Sequence, residues 1–223
     1  MTFANKVIQF FESITKPKVP KGIGVLNPFS SEEVKAIVHQ FYTKYYDDNN
    51  PRRLIFGINP GRFGAGITGI AFTDPIRLEE DCNIPNSFHK RQELSSVFVY
   101  NFINRYGGAE AFYKDYFITA AFPLGFVFEG KNINYYDQKE LQNALEKLII
   151  KYIKEQLEWN VKTDIAYCLG KGKNLKYLQK LNDKHQFFGE IRPLPHPRWV
   201  MQYRYKLRDE FAEEIALELK YPT

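Results

Sequence analysis

The sequence predicts an α/β fold of three layers, a central four-stranded parallel sheet flanked by helices. Two observations carry that prediction. Four short apolar runs (53–58, 116–121, 164–169 and 186–191) are separated by segments whose apolar residues recur at helical spacing. The first three runs, moreover, empty into stretches rich in Gly or Pro, as strands of an open parallel sheet do before each crossover. With 223 residues and 44% hydrophobic composition, residues 1–223 suffice for one well-buried core, and a single domain is expected.

The elements follow in order. Phe3, Val7, Phe10, Phe11 and Ile14 mark a first helix, ended by Lys16, Pro17 and Pro20. Lys21 to Phe29 reads as a Gly/Pro-interrupted connection. Ser30 with Glu33 forms a capping-box pattern before a helix through Val34, Ile37, Val38, Phe41 and Tyr45. The first strand, Arg53 to Ile58, is apolar on both faces and therefore buried. From Gly57 to Phe72 five glycines and a proline forbid regular structure, and Thr73 to His89 reads as a second irregular stretch. Leu94, Val97, Phe98 and Phe102 give a helix closed by Gly107 and Gly108, followed by the strand Tyr116 to Ala121. Asp137 with Glu140 caps a long helix through Leu141, Leu145, Leu148, Ile149 and Tyr152, and Asp164 to Leu169 is the third strand. Leu175, Leu178 and Leu181 supply a helix, Gln186 to Ile191 the fourth strand, and Leu207, Phe211 and Ile215 the last helix.

Ligands of open α/β sheets bind beyond the carboxyl ends of the strands. That rule selects the loops 59–72, 122–126, 170–174 and 192–199, which hold Arg62, Lys171, Lys173, Arg192 and Arg198 and no acidic residue. The predicted ligand edge is thus positive although the whole chain carries only +5 with a pI near 9.0. A phosphate-bearing partner suits such an edge. The aromatic content of 16% adds ring faces for stacking.

Several chemistries are set aside. Gly57 to Gly64 lacks the closing Gly-Lys-Ser/Thr of a nucleotide-hydrolysing loop, and Gly61-Arg62-Phe63-Gly64-Ala65-Gly66 has the wrong spacing for a dinucleotide fingerprint. No Gly-x-Ser-x-Gly is present. Two cysteines, Cys82 and Cys168, neither frame a disulfide scaffold nor ligate a four-cysteine cluster, and no His or Cys spacing suits a metal. Met1 to Thr15 has no uninterrupted apolar run, so neither a signal peptide nor a membrane span is expected, and the protein is placed inside the cell, in cytoplasm or nucleoid. Pro195-His196-Pro197-Arg198 stands apart: flanking prolines restrict the backbone and aim His196 in one direction on the ligand edge. His39, His89 and His185 lack such company.

Together the two loops resemble the uracil-DNA glycosylase superfamily, specifically its single-strand-selective monofunctional type. That family carries Gly-Met-Asn-Pro-Gly, then an aromatic with Gly, then Thr-Gly and an aromatic. Here the motif reads Gly57-Ile58-Asn59-Pro60-Gly61, Phe63-Gly64, Thr68-Gly69 and Phe72 without a gap. The family's later His-Pro motif ending in Arg reads His196-Pro197-Arg198, in a shortened form. The resemblance implies a uracil-DNA glycosylase-like domain that hydrolyses the N-glycosidic bond of uracil in DNA, leaves an abasic site and has no lyase step. It implies Asn59 and His196 as catalytic residues, one holding the attacking water and the other stabilising the departing base. Gly57, Ile58, Phe63, Phe72 and Ala120 would contact the base. Pro60, Gly61, Arg62, Thr68, Lys171, Lys173, Pro197, Arg198 and Trp199 would contact DNA, with Arg198 and Trp199 filling the gap left by the flipped nucleotide. The expected partner is uracil-containing DNA, single- or double-stranded, and the expected protein is a monomer that needs no cofactor or metal.

One departure stands out. The family's second strand usually ends in an Asn that reads the uracil edge, whereas Ala120, Ala121 and Phe122 precede Pro123-Leu124 here and offer no such side-chain bond. Losing a base-reading pair changes discrimination by ~1–3 kcal/mol. Alternatives are therefore a glycosylase for another deaminated base, such as xanthine or hypoxanthine, or a relative that binds lesions without excising them.

Overall fold

The computed structural model describes residues 1–222. Its centre is a parallel sheet of β2 (Arg53–Gly57), β3 (Tyr116–Ala120), β6 (Ile165–Leu169) and β7 (Glu190–Leu194) in the order β3-β2-β6-β7. Strand alternation sends successive side chains to opposite faces. On β3, Tyr116 meets Tyr167 of β6 and donates its hydroxyl to the Leu219 carbonyl of α10 (Arg208–Lys220). Its neighbour Phe117 packs instead on Phe3 of α1 (Phe3–Ser13), on Tyr42 and Tyr46 of α2 (Glu32–Tyr46), and on Trp159. Helices thus cover both faces, as expected for buried parallel strands.

A second sheet was not foreseen. β1 (Ile23–Leu26), β4 (Gly125–Phe128) and β5 (Lys131–Ile133) pair antiparallel in the order β1-β4-β5. Strands of three and four residues are too short to show a period, so 21–29 passes for a connection. Short helices were missed for the same reason: α3 (Ala65–Thr68), α4 (Pro75–Glu80), α6 (Ala109–Asp115) and α9 (Pro197–Tyr203). The longer α5 (Leu94–Tyr106), α7 (Lys139–Leu157) and α8 (Lys173–His185) lie where helical spacing puts them.

Both anticipated capping boxes are absent. Ser31 is the cap of α2, while the Ser30 hydroxyl donates to the Asn27 carbonyl. Asp137 accepts from the Asn134 N–H, and Gln138 caps α7.

The fourth strand begins at Glu190 instead of Gln186. Phe187 and Phe188 supplied the apolar signal, yet they are buried packing residues that follow Gln186, the left-handed cap of α8. The shift has a consequence for the ligand edge. Arg192 lies inside the strand, bound to Glu190 (2.8 Å) and Glu218 (3.2 Å), so it does not contribute to the positive edge. Pro193 is tolerated because β7 is an edge strand.

Candidate active site

Gly57 pairs with Ala120 and Leu169 with Leu194, so the carboxyl ends of the parallel strands are level and their loops leave from one edge. After β2 the chain passes Asn59 and Pro60, makes the single turn of α3, and returns at Phe72. Phe72 has a φ of 52°, a conformation uncommon for a bulky side chain and held by its surroundings. Its ring is thereby laid against Gly57, where a Cβ would come within 2.8 Å of the ring edge. Only glycine at 57 lets the aromatic face close over the end of the central strand.

Asn59 is fixed by the unforeseen sheet. Its Oδ1 accepts the Tyr135 N–H at 2.9 Å, and its Nδ2 donates to the carbonyls of Ile133 (3.3 Å) and Pro60 (3.4 Å). The donor at Tyr135 settles which end of the amide is oxygen, and one Oδ1 lone pair stays free. Asn174, 3% exposed, completes the support: it accepts from the Tyr135 hydroxyl at 2.7 Å and donates to the Gly57 carbonyl at 3.1 Å. Tyr135 and Asn174 position the site, and nothing in their local sequence marks them.

His196 caps α9. Its Nδ1 accepts the Arg198 N–H at 3.2 Å, which leaves the proton of the neutral ring on Nε2. The ring lies over Gly170, whose φ of 114° and short approach to the imidazole (3.1 Å from a Cβ position) exclude a side chain there. Burial, with the Arg198 guanidinium adding to it, pushes the imidazole down to about 4, so His196 is a neutral donor at physiological pH.

A pocket at the end of β2 is lined by Gly57, Ile58, Asn59, Phe72, Glu93 and Ala120 among others. A cleft shares Ile58, Asn59, Phe72 and Glu93 with that pocket and continues to His196, Arg198 and Trp199. Asn59, Phe72 and His196, 137 residues apart at the extremes, therefore face one space. Pro60 and Gly61 form part of the same wall. Lys171 and Lys173 lie on the far side of His196, lining a second cleft with Gly170 and Trp199.

Other expected contacts are not available. Thr68 is fully buried and its hydroxyl donates to the Thr73 carbonyl, so it shapes the loop and does not reach DNA. Pro197 is buried as the first residue of α9. Phe63 lies outside the base pocket, in a neighbouring cleft with Arg62, its ring covered by the Arg91 guanidinium at 3.5 Å. The Gly57 carbonyl already accepts from Ala121 and Asn174 and so has no lone pair left for a base, whereas the Ile58 carbonyl accepts only from Phe122 and keeps one. The edge is also not free of acid, since Glu93 reaches it from the start of α5. Among the described residues no cluster of His, Cys, Asp and Glu suits a metal ion, and no helix is long and apolar enough to cross a membrane. Both cysteines are buried and unpaired.

A family model described as "Uracil DNA glycosylase superfamily" matches residues 43–220. The crystal structure of wild-type Pedobacter heparinus SMUG2 is similar over 99% of this chain and 97% of that one, with 47% sequence identity and a TM-score of 0.95. No curated protein matches the sequence. The family match spans most of the chain, including both the Asn59 loop and the His196 cap, and with it the chain belongs to the uracil DNA glycosylase superfamily.

Proposed function

We propose that this protein is a monofunctional DNA glycosylase that hydrolyses the N-glycosidic bond of uracil, or a close analogue, and leaves an abasic site. The observation that carries the reading is the convergence of Asn59, Phe72 and His196 on one cleft. A base stacked in a duplex is out of reach, so the nucleotide must rotate out at a cost of roughly a few kcal/mol. The Phe72 face offsets part of that cost by stacking. As the C1′–N bond breaks, its electron pair leaves with the base and the sugar becomes oxocarbenium-like, as in glycoside hydrolysis. The Nε2–H of His196 donates to the developing base anion. Asn59 offers its free Oδ1 lone pair to a water, which adds to C1′ and releases its proton to solvent. A neutral amide positions that water without deprotonating it, which suffices when bond breaking runs ahead of attack.

Ala120 favours a second reading of the base range. It lines the pocket and offers no side-chain amide to read uracil, so xanthine and hypoxanthine are kept as candidate substrates. The same proposal takes residues 1–223 as one domain acting as a monomer on intracellular DNA. The test is a panel of oligonucleotides bearing uracil, xanthine or hypoxanthine, single- and double-stranded, scored for alkali-labile sites. Binding without any alkali-labile product at high enzyme concentration overturns the proposal in favour of a lesion-binding relative.

A further inference from the structure

Among the described residues Glu93 is the one ionisable side chain in the wall of the base pocket, and the mechanism above gives it no task. It also borders both adjoining clefts. Its main chain is pinned, because its N–H donates to Asp74 at 2.8 Å. The carboxyl group is turned inward over the Asn59 loop, where a Cβ on Gly64 would lie 1.8 Å from its Oε2 and one on Gly61 4.0 Å from its Oε1. Its one side-chain partner is the Ser96 hydroxyl, at a long 3.4 Å, and no salt bridge among the described residues includes it. A carboxyl group placed in a pocket and left this poorly satisfied has capacity for a ligand.

We infer that Glu93 reads the base, its carboxyl group bonding in a two-point pair to the N–H and adjacent C=O of an imide or lactam edge. This rests on the glycosylase reading above. A neutral carboxyl accepts from the N–H through its carbonyl oxygen and donates its O–H to the base carbonyl. Uracil presents that edge at N3 and its flanking carbonyl, and hypoxanthine and xanthine present it at N1 and O6. One residue thus replaces the amide absent at Ala120 and accommodates every base considered. Burial and the Asp74 carboxylate raise the Glu93 carboxyl above its ordinary value, while Ser96 and Arg198 act in the opposite sense; a base carbonyl that accepts from its O–H favours the protonated form further. The other charged or titratable groups facing the clefts beside it are Arg62, Arg91, Lys131, Tyr136, His196 and Tyr203. A neutral acid also avoids placing a negative charge beside a base that departs as an anion.

The experiment is single-turnover excision by the parent, Glu93→Gln and Glu93→Leu, on oligonucleotides carrying uracil or N3-methyluracil, across pH, with unfolding monitored for each variant. Gln keeps a donor beside an acceptor, so Glu93→Gln should release uracil faster than Glu93→Leu and lose the alkaline fall that deprotonation imposes on the parent. Glu93→Leu should slow uracil release about ten- to a hundredfold. With N3-methyluracil, which lacks the N–H, the gap between parent and Glu93→Leu should close. The inference is overturned by parent-like uracil release from Glu93→Leu, by an equal deficit on both bases, or by an unchanged alkaline limb in Glu93→Gln. The last outcome decides even if Glu93→Leu does not fold. Failure of the parent to release any base instead overturns the glycosylase reading, and this one with it.

Discussion

The Nδ1 of His196 accepts the backbone N–H of Arg198 at 3.2 Å, and the Arg198 side chain helps to keep the same ring unprotonated. One residue therefore sets the tautomer and, second to burial, helps to set the charge of the group placed to meet the departing base. Imidazolium has no acceptor at Nδ1, so protonation breaks the cap of α9 as well as adding charge beside a guanidinium.

A titration follows from this. In NMR the His196 ring should titrate near 4, and Arg198→Ala should move that midpoint upward. The sign for stability is fixed by the folded value lying below the unfolded value of 6.5: between the two, the unfolded chain binds the proton and the folded chain does not. Stability should therefore fall as pH drops from about 6.5 to about 4, by up to roughly 3 kcal/mol from this group. Denaturant unfolding of parent and His196→Gln across that window measures the difference, which should shrink in the variant.

Asn59→Ala should lower the single-turnover rate by about a hundredfold or more while leaving DNA affinity within a few-fold. The reason is that the side chain is held by Ile133 and Tyr135 whether or not DNA is present, so its free lone pair serves the water and not the strand. Affinity falling in step with rate would remove Asn59 from the water-holding role.

Phe72→Ala should weaken binding of the flipped base by ~1–3 kcal/mol, the usual worth of one base–aromatic stack. Gly57→Ala should act in the same direction from the other side, because its Cβ would stand 2.8 Å from the Phe72 ring and displace it. Combining the two changes should give less than the sum of their effects, since both act through one ring.

The parts of the site legible in the sequence are those that its loops carry. Asn59, Phe72 and His196 lie in loops whose Gly and Pro content shows that the chain leaves regular structure, and each follows or precedes a strand long enough to carry a pattern. Glu93 and Asn174 act through side chains brought in from the cap of α5 and from α8, and Tyr135 through its main-chain N–H in the segment after β5. Tyr135 reaches Asn59 across 76 residues of chain and Asn174 reaches Gly57 across 117, distances over which no local period or cap reports. Thr68 shows the opposite failure. A motif position says that the residue is required but not for which partner, and here the partner is the loop's own Thr73 carbonyl.

Arg198 and Trp199 supply the last prediction. Both sit on the first turn of α9 beside the cleft, Arg198 exposed and Trp199 41% exposed, the latter with Arg204 over its ring at 5.2 Å and Phe211 against its edge. A duplex must unstack and unpair the target before it reaches Phe72, whereas a single strand has little of that to undo. Residues that fill the vacated stack should therefore matter chiefly on duplex substrate. Arg198→Ala and Trp199→Ala should each lower duplex excision about tenfold more than single-strand excision, as measured with matched oligonucleotides under single-turnover conditions. For Arg198→Ala the assay belongs at pH 8, where His196 stays neutral even after its midpoint rises, so that loss of wedging is not confused with a change in the ring's charge. Equal losses on both substrates would place the two side chains in general phosphate binding, and weakening that disappears at high salt would identify it as such.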